Sequence, residues 1–244
     1  MPILELATLA FSGVLLYTLG SRIQLQRRLI EINKYLEEGR AREFIAKTTT
    51  ELDRQTDDAI RTLLHMNLSA GFVFLGDFDV ALATLRKIDT EKFKRWRKTD
   101  RRRFSALYYN NLLNALLYTK NFAEAVSVWS EHADDLVPKT GLAMLDHCLE
   151  GTAATYHYFC GDAQSAYSKL EQLSKQEGPS GVYRAKQLYL LGRLDLSQNR
   201  FEQGMARIEE AAKIANQSYI ASEPKLLSIG EERVGAPGSG KILT

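Results

Sequence analysis

Two cysteines, Cys148 and Cys160, are all that 244 residues contain. So few exclude a disulfide framework and point to a reducing compartment. Histidine is scarce too, with four residues and none in a nucleophile–base pattern, so no catalytic residue is assigned. Proline interrupts residues 22–223 only at Pro138 and Pro179. No stretch alternates apolar and polar residues for long enough to make a strand, while apolar residues recur at helical spacing almost throughout. The expected fold class is all-α.

Charge of one sign is missing from the whole but not from the halves. The formal net charge is +2, yet residues 22–103 hold 19 Lys/Arg against 13 Asp/Glu, and residues 104–244 hold 13 against 16. Residues 3–20, "ILELATLAFSGVLLYTLG", carry Glu5 as their only charge. As a helix they would extend about 27 Å, close to a hydrocarbon core of about 30 Å. Arg22, Arg27, Arg28 and Lys34 follow this run and no basic residue precedes it. The expectation is a single transmembrane helix at 3–20 with a cytoplasmic C-terminal body. Residues 21–55 then form a long helix or a capping hairpin broken near Gly39, residues 56–221 a repeated body, and residues 222–244 a disordered tail.

The body repeats itself. "GDFDVALATL" (76–85), "KNFAEAVSVW" (120–129), "GDAQSAYSKL" (161–170) and "NRFEQGMARI" (199–208) share a polar turn, a small residue and a large apolar residue. The small residues Ala81, Ala125, Ala166 and Gly204 are spaced by 44, 41 and 38. Asp, Gly or Asn closes one helix and starts the next. Phe78, Phe122 and Phe201 are expected to pack back across the turn. Leu85, Trp129, Leu170 and Ile208 lie one turn beyond the small residue and seal the core. Twelve residues before each small position stand Ser69, Leu113, Ala154 and Gly192.

This pattern resembles the tetratricopeptide repeat family, in which a small residue is wanted at both places. Leu113 departs, and the spacings exceed the family's period of about 34. The resemblance implies a helical-hairpin solenoid. It also implies that the first helix of each hairpin lines a groove for an extended peptide or partner helix. In that register Asn110, Asn114 and Arg193 face the groove. Met66 takes the place of a basic residue with which the family clamps acidic peptide termini, so that ligand is not expected.

Three further features have a chemical reading. "KFKRWRKTDRRRF", Lys92 to Phe104, interleaves aromatics with eight basic residues (Lys92, Lys94, Arg95, Arg97, Lys98, Arg101, Arg102 and Arg103) against the single acid Asp100. It fits a solvated connection, a contact to anionic lipid or an acidic protein, or nucleic acid with Trp96 stacking on bases. His147, Cys148, His157 and Cys160 look like a metal set. On one helix, however, His147 and His157 stand about 15 Å apart, whereas zinc ligands converge to about 2.0–2.3 Å of one ion. No metal or cofactor is expected. "GAPGSGKI", Gly235 to Ile242, nearly matches a phosphate loop. Ile242 replaces the magnesium-binding hydroxyl, and the three residues after Lys241 are too few for the helix such a loop needs. The functional expectation is a membrane-anchored scaffold or adaptor that binds protein partners and is not an enzyme. Nucleic-acid or anionic-lipid binding through 92–104 is the alternative, and a nucleotide-dependent enzyme using 235–241 is the third. Nothing in the sequence indicates a small-molecule substrate.

Overall fold

The computed structural model describes residues 24–175, 181–224 and 227. The fold is all-α, and no strand occurs among the described residues. Helix α1 covers residues 24–37. It is followed by α2 (Ala41–Arg54), α3 (Asp58–Leu75), α4 (Phe78–Leu85), α5 (Lys98–Tyr118) and α6 (Phe122–Glu131). Then come α7 (Ala143–Phe159), α8 (Ala163–Lys175), α9 (Val182–Ser197) and α10 (Phe201–Ile214). Short 3-10 turns occupy Thr90–Arg95 and Tyr219–Ser222.

One turn is built four times. Gly76, Lys120, Gly161 and Asn199 have positive φ of 92°, 61°, 80° and 62°. The next residue donates its N–H back across the helix end: Asp77 to Phe72, Asn121 to Leu116, Asp162 to His157 and Arg200 to Asp195, each at 2.9 Å. This closure satisfies a carbonyl that the helix end would otherwise leave orphaned. Gly39, at φ 77°, makes the same closure between α1 and α2, with Arg40 N–H on Tyr35 at 2.7 Å. Among the described residues the chain therefore runs as five helical hairpins.

The last four hairpins are closed by the residues at the two repeated positions. Ser69 and Ala81, Leu113 and Ala125, and Ala154 and Ala166 are all fully buried. The tightest pair is Gly192 and Gly204, where a Cβ added at Gly192 would lie 2.7 Å from the Gly204 carbonyl oxygen. Leu85, Leu170 and Ile208 are fully buried one turn later. Trp129 is half-buried and stacks on Tyr156 at 4.4 Å.

The turn aromatics pack differently from the expectation. Phe78 stacks on Tyr118 at 4.6 Å and Phe122 faces Phe159 at 6.1 Å. Both reach the end of the next hairpin's first helix, not back across their own turn. Phe201 is 60% exposed, because no further hairpin follows α10 among the described residues to receive it.

The membrane placement needs correction. Among the described residues no helix is long and apolar enough to cross a membrane. The longest, α5, opens with Lys98, Asp100, Arg101, Arg102 and Arg103, charges that a hydrocarbon core would not accommodate. The single-pass, cytoplasm-facing localisation is withdrawn on this finding. The run 3–20 on which it rested lies outside the described residues. So do Gly235–Ile242 and most of the segment expected as a tail.

Candidate functional site

The first helices of the hairpins share one inward face. Along α3 it carries Asn67, Ala70 and Phe74, and along α5 Leu107, Asn110, Asn111, Asn114 and Tyr118. On α7 it carries Met144, His147, Cys148, Gly151 and Thr152, and on α9 Tyr183, Lys186, Gln187 and Leu190. The steps of three and four residues are those of a single helical stripe. These faces border a partly open cavity of about 260 Å³, which α1 also borders through Asn33, Leu36 and Glu37, and the 3-10 turn through Tyr219 and Ile220.

Helix α1 and the turn after α10 form two further walls of this cavity. Arg28 of α1 holds buried Glu51 of α2 at 3.1 Å. A Cβ at Gly181 would lie 2.3 Å from the Glu37 carbonyl oxygen, so the end of α1 rests on the start of α9. At the other end, Tyr219 donates to the Tyr118 hydroxyl at 2.9 Å and packs against Phe78 and Tyr189. Glu223 accepts from Tyr189 at 3.1 Å and from Arg193 at 3.2 Å.

Inside lies a directed chain of neutral hydrogen bonds. Asn111 Nδ2 donates to the Met66 carbonyl at 2.9 Å and to Ser69 Oγ at 3.2 Å. Asn110 Nδ2 donates to Asn111 Oδ1 at 3.0 Å, and Thr152 Oγ1 to Asn110 Oδ1 at 2.7 Å. Asn114 Nδ2 donates to Thr152 Oγ1 at 2.7 Å and to the Asn110 carbonyl at 2.8 Å. With those protons used, Asn114 presents its Oδ1 as an acceptor, and Lys186 Nζ donates to it at 2.5 Å.

Lys186 is the cation of this cavity. Among the described residues it has no carboxylate within 4 Å. Burial brings its ammonium down to about 8 from an ordinary 10.5. The Cys148 thiol is pushed up to about 11, chiefly by burial and partly offset by a hydrogen bond from Tyr183. Gln187 Nε2 lies 2.8 Å from His147 Nε2.

The residues singled out from sequence are thus distributed as follows. Asn110 and Asn114 line the inner face, but both are buried and tied into the hydrogen-bond chain. Arg193 does not line the cavity and is committed to Glu223. His147 and Cys148 border the cavity, whereas His157 pairs with Asp162 at 3.3 Å near the far end of α7. Among the described residues no three His, Cys, Asp or Glu side chains are arranged to hold a metal. Sequence reasoning passed over Lys186, Asn111 and Thr152. The signal for Lys186 was present: it falls on the stripe Tyr183, Lys186, Leu190, where a lysine is out of place.

The basic stretch divides in two. Lys92 pairs with Asp58 at 2.9 Å, Lys94 with Glu91 at 2.6 Å, and Arg103 donates to the Thr140 carbonyl at 3.2 Å. Arg95, Arg97, Lys98, Arg101 and Arg102 are exposed, with no carboxylate within 4 Å among the described residues. Trp96 lies on Phe93 at 5.0 Å and meets Phe104 edge-on at 4.4 Å. It anchors the stretch and is not free to stack on a base. Helix α5 has no side-chain cap, and basic residues in its first turn oppose the helix macrodipole. The aromatic cluster of Phe93, Trp96, Phe104 and Tyr108 holds this end in place instead.

No protein-family model, curated protein or solved structure matches this chain.

Proposed function

We propose that this chain is a tetratricopeptide-like helical-hairpin solenoid that works as a scaffold, binding an acidic segment of a protein partner and catalysing no reaction. The repeated turn and the paired small residues support the solenoid reading. The observation that carries the binding reading is the cationic edge formed by Arg95, Arg97, Lys98, Arg101 and Arg102, exposed and without ion-pair partners among the described residues. Five like charges at a helix N-terminus cost stability in the free protein. They rest on an aromatic base already fixed by Phe93 and Trp96, so docking an acidic partner orders little new backbone.

An acidic protein segment is favoured over nucleic acid because Trp96 is engaged internally and, among the described residues, no second aromatic platform flanks these charges. The test captures partners from cells of the source organism on the wild-type chain. A variant in which Arg95, Arg97, Lys98, Arg101 and Arg102 are all replaced by Glu serves as the comparison. The expected result is a discrete acidic partner, retained at 150 mM salt, re-bound in purified form, and lost on charge reversal with the helical circular dichroism unchanged. Equal recovery on both chains overturns the reading. So does binding only to single-stranded RNA or to anionic vesicles.

A further inference from the structure

We propose that the central cavity is a binding site for a small organic anion, a single carboxylate on a compact apolar body, received by Lys186. This goes beyond the scaffold reading and uses none of the residues of the cationic edge.

Three observations carry it. The first is an incomplete charge balance. Lys186 Nζ uses one of its three protons on Asn114 Oδ1 and faces no carboxylate within 4 Å among the described residues. Among the described residues the other ionisable groups bordering the cavity are Glu37 of α1, Tyr118 of α5, His147 and Cys148 of α7, Tyr183 of α9 and Tyr219. Of these only Glu37 carries an anion, and it sits on the exposed side of α1. The Cys148 thiol, held near 11 by burial, supplies no negative charge at neutral pH. A half-buried ammonium held by one neutral amide and, at 5.9 Å, by the face of the Tyr118 ring is costly unless an anion completes its shell.

The second observation is preorganisation. The run from Met66 and Ser69 through Asn111, Asn110, Thr152 and Asn114 commits the Asn114 amide protons elsewhere and fixes its Oδ1 on the ammonium. The remaining two Nζ protons are left for a ligand. One cation among neutral amides suits a single negative charge better than a phosphate dianion, which recruits several basic groups.

The third is the shape and lining. Leu36, Phe74, Leu107, Leu170, Leu190 and Ile220 form apolar walls around the polar patch. About 260 Å³ is the space of about nine waters, just below the usual range for small-molecule clefts. An extended peptide laid along the inner face would have to displace α1 and the Tyr219–Ser222 turn, both of which border the same space. The occupant that fits the standing structure is therefore a free small molecule.

The probe is octanoate, added to the full-length chain and followed by calorimetric titration and by thermal unfolding. Octanol and octylamine serve as controls of equal apolar length. Saturable binding of octanoate is expected, with affinity at least tenfold above either control. Lys186→Met should remove that preference while leaving the fold intact. Gly151→Leu fills the cavity from a position where an added Cβ meets nothing within 4 Å, so this variant should fold and bind none of the three. Absence of octanoate binding up to 10 mM, about the limit for a weak site, overturns the proposal. So does equal binding of octanol, or octanoate binding unchanged in Gly151→Leu. A leucine-terminated tetrapeptide that binds more tightly than octanoate and competes with it also overturns the free-molecule assignment, and directs the site to a protein terminus.

Discussion

Replacing Lys186 by Met should stabilise the unliganded protein, because the native lysine carries its charge in a half-buried, largely apolar site. The ammonium stands at about 8 against an ordinary 10.5. At about 1.4 kcal/mol per tenfold, that is about 3 kcal/mol of cost in the folded state wherever lysine is protonated. Methionine has nearly the same length and no charge, but it leaves Asn114 Oδ1 without its donor, which costs about 1–2 kcal/mol. The net gain is about 1–2 kcal/mol at pH 7, or about 2–8 °C in the melting temperature of a chain this long. The pH dependence gives the sharper test. Below about pH 8 the lysine is protonated in both folded and unfolded chains, and the full cost applies. Between about pH 8 and 10.5 the folded lysine is neutral while the unfolded one is still charged, so wild-type stability rises. The advantage of Lys186→Met should therefore shrink through that window and vanish near pH 10. Burial holds the Tyr118 and Tyr183 hydroxyls well above their ordinary range in both chains, so their contributions largely cancel in the difference, and the Cys148 thiol, pushed up to about 11, stays mostly protonated through that window. Urea unfolding of both proteins at pH 7, 8, 9 and 10 reads it directly. A gap that stays constant with pH, or a Lys186→Met chain less stable by more than 1 kcal/mol at pH 7, refutes the reasoning.

Other perturbations test the hairpin architecture. Gly192→Ala places a Cβ 2.6 Å from Ile208 Cγ1 and 2.7 Å from the Gly204 carbonyl oxygen, and should cost about 1–3 kcal/mol in urea unfolding. Gly151→Ala makes the same change on α7 where nothing lies within 4 Å, and should gain about 0.5–1 kcal/mol from helix propensity. Lys120→Gly relieves a left-handed φ of 61° and should stabilise its turn by up to about 1 kcal/mol, measured as a rise in melting temperature. Asp195 is fully buried and held by Arg200 and by Arg207, the latter at 2.6 Å. Asp195→Asn leaves two guanidinium groups short of their anion and should cost about 3 kcal/mol or more, seen as a lowered urea midpoint with an unchanged slope.

Much of the hairpin body was legible because its determinants are local. A left-handed turn residue, a helix start after it and a small residue five places on lie within ten residues, and all recur in the sequence. The partner positions Ser69, Ala154 and Gly192 came from the twelve-residue offset that the tetratricopeptide resemblance implies. The packing of Phe78 and Phe122 was not legible in the same way. Their targets, Tyr118 and Phe159, belong to the next hairpin, and contacts between hairpins depend on how the units stack. Asn110 and Asn114 were placed on the inner face by register, yet register says nothing about burial. Their enclosure depends on α1 and on Tyr219, which are remote in the chain from both.

The first hairpin shows why a repeat can hide. Its turn at Gly39 has the same closure as the other four, but Phe44 stands five residues later, where the others have Ala or Gly. A phenylalanine there should hold two helices apart, yet Phe44 is almost fully buried. The room comes from the neighbouring helix. At Gly71 of α3 an added Cβ would meet Phe44 Cδ1 at 2.9 Å and Ile45 Cγ1 at 2.8 Å. This room lies between α2 and α3, at the contact of the first hairpin with the second, whereas the paired small residues of the other units lie between the two helices of one hairpin. Close packing constrains the summed volume at a contact and not which side supplies it. A pattern search that fixes the small residue in one helix therefore misses this unit, although the packing rule it obeys is the same. The same hairpin that breaks the sequence pattern brings Asn33, Leu36 and Glu37 over the inner face, and so encloses Lys186 in a space that the four regular hairpins alone would leave open on that side.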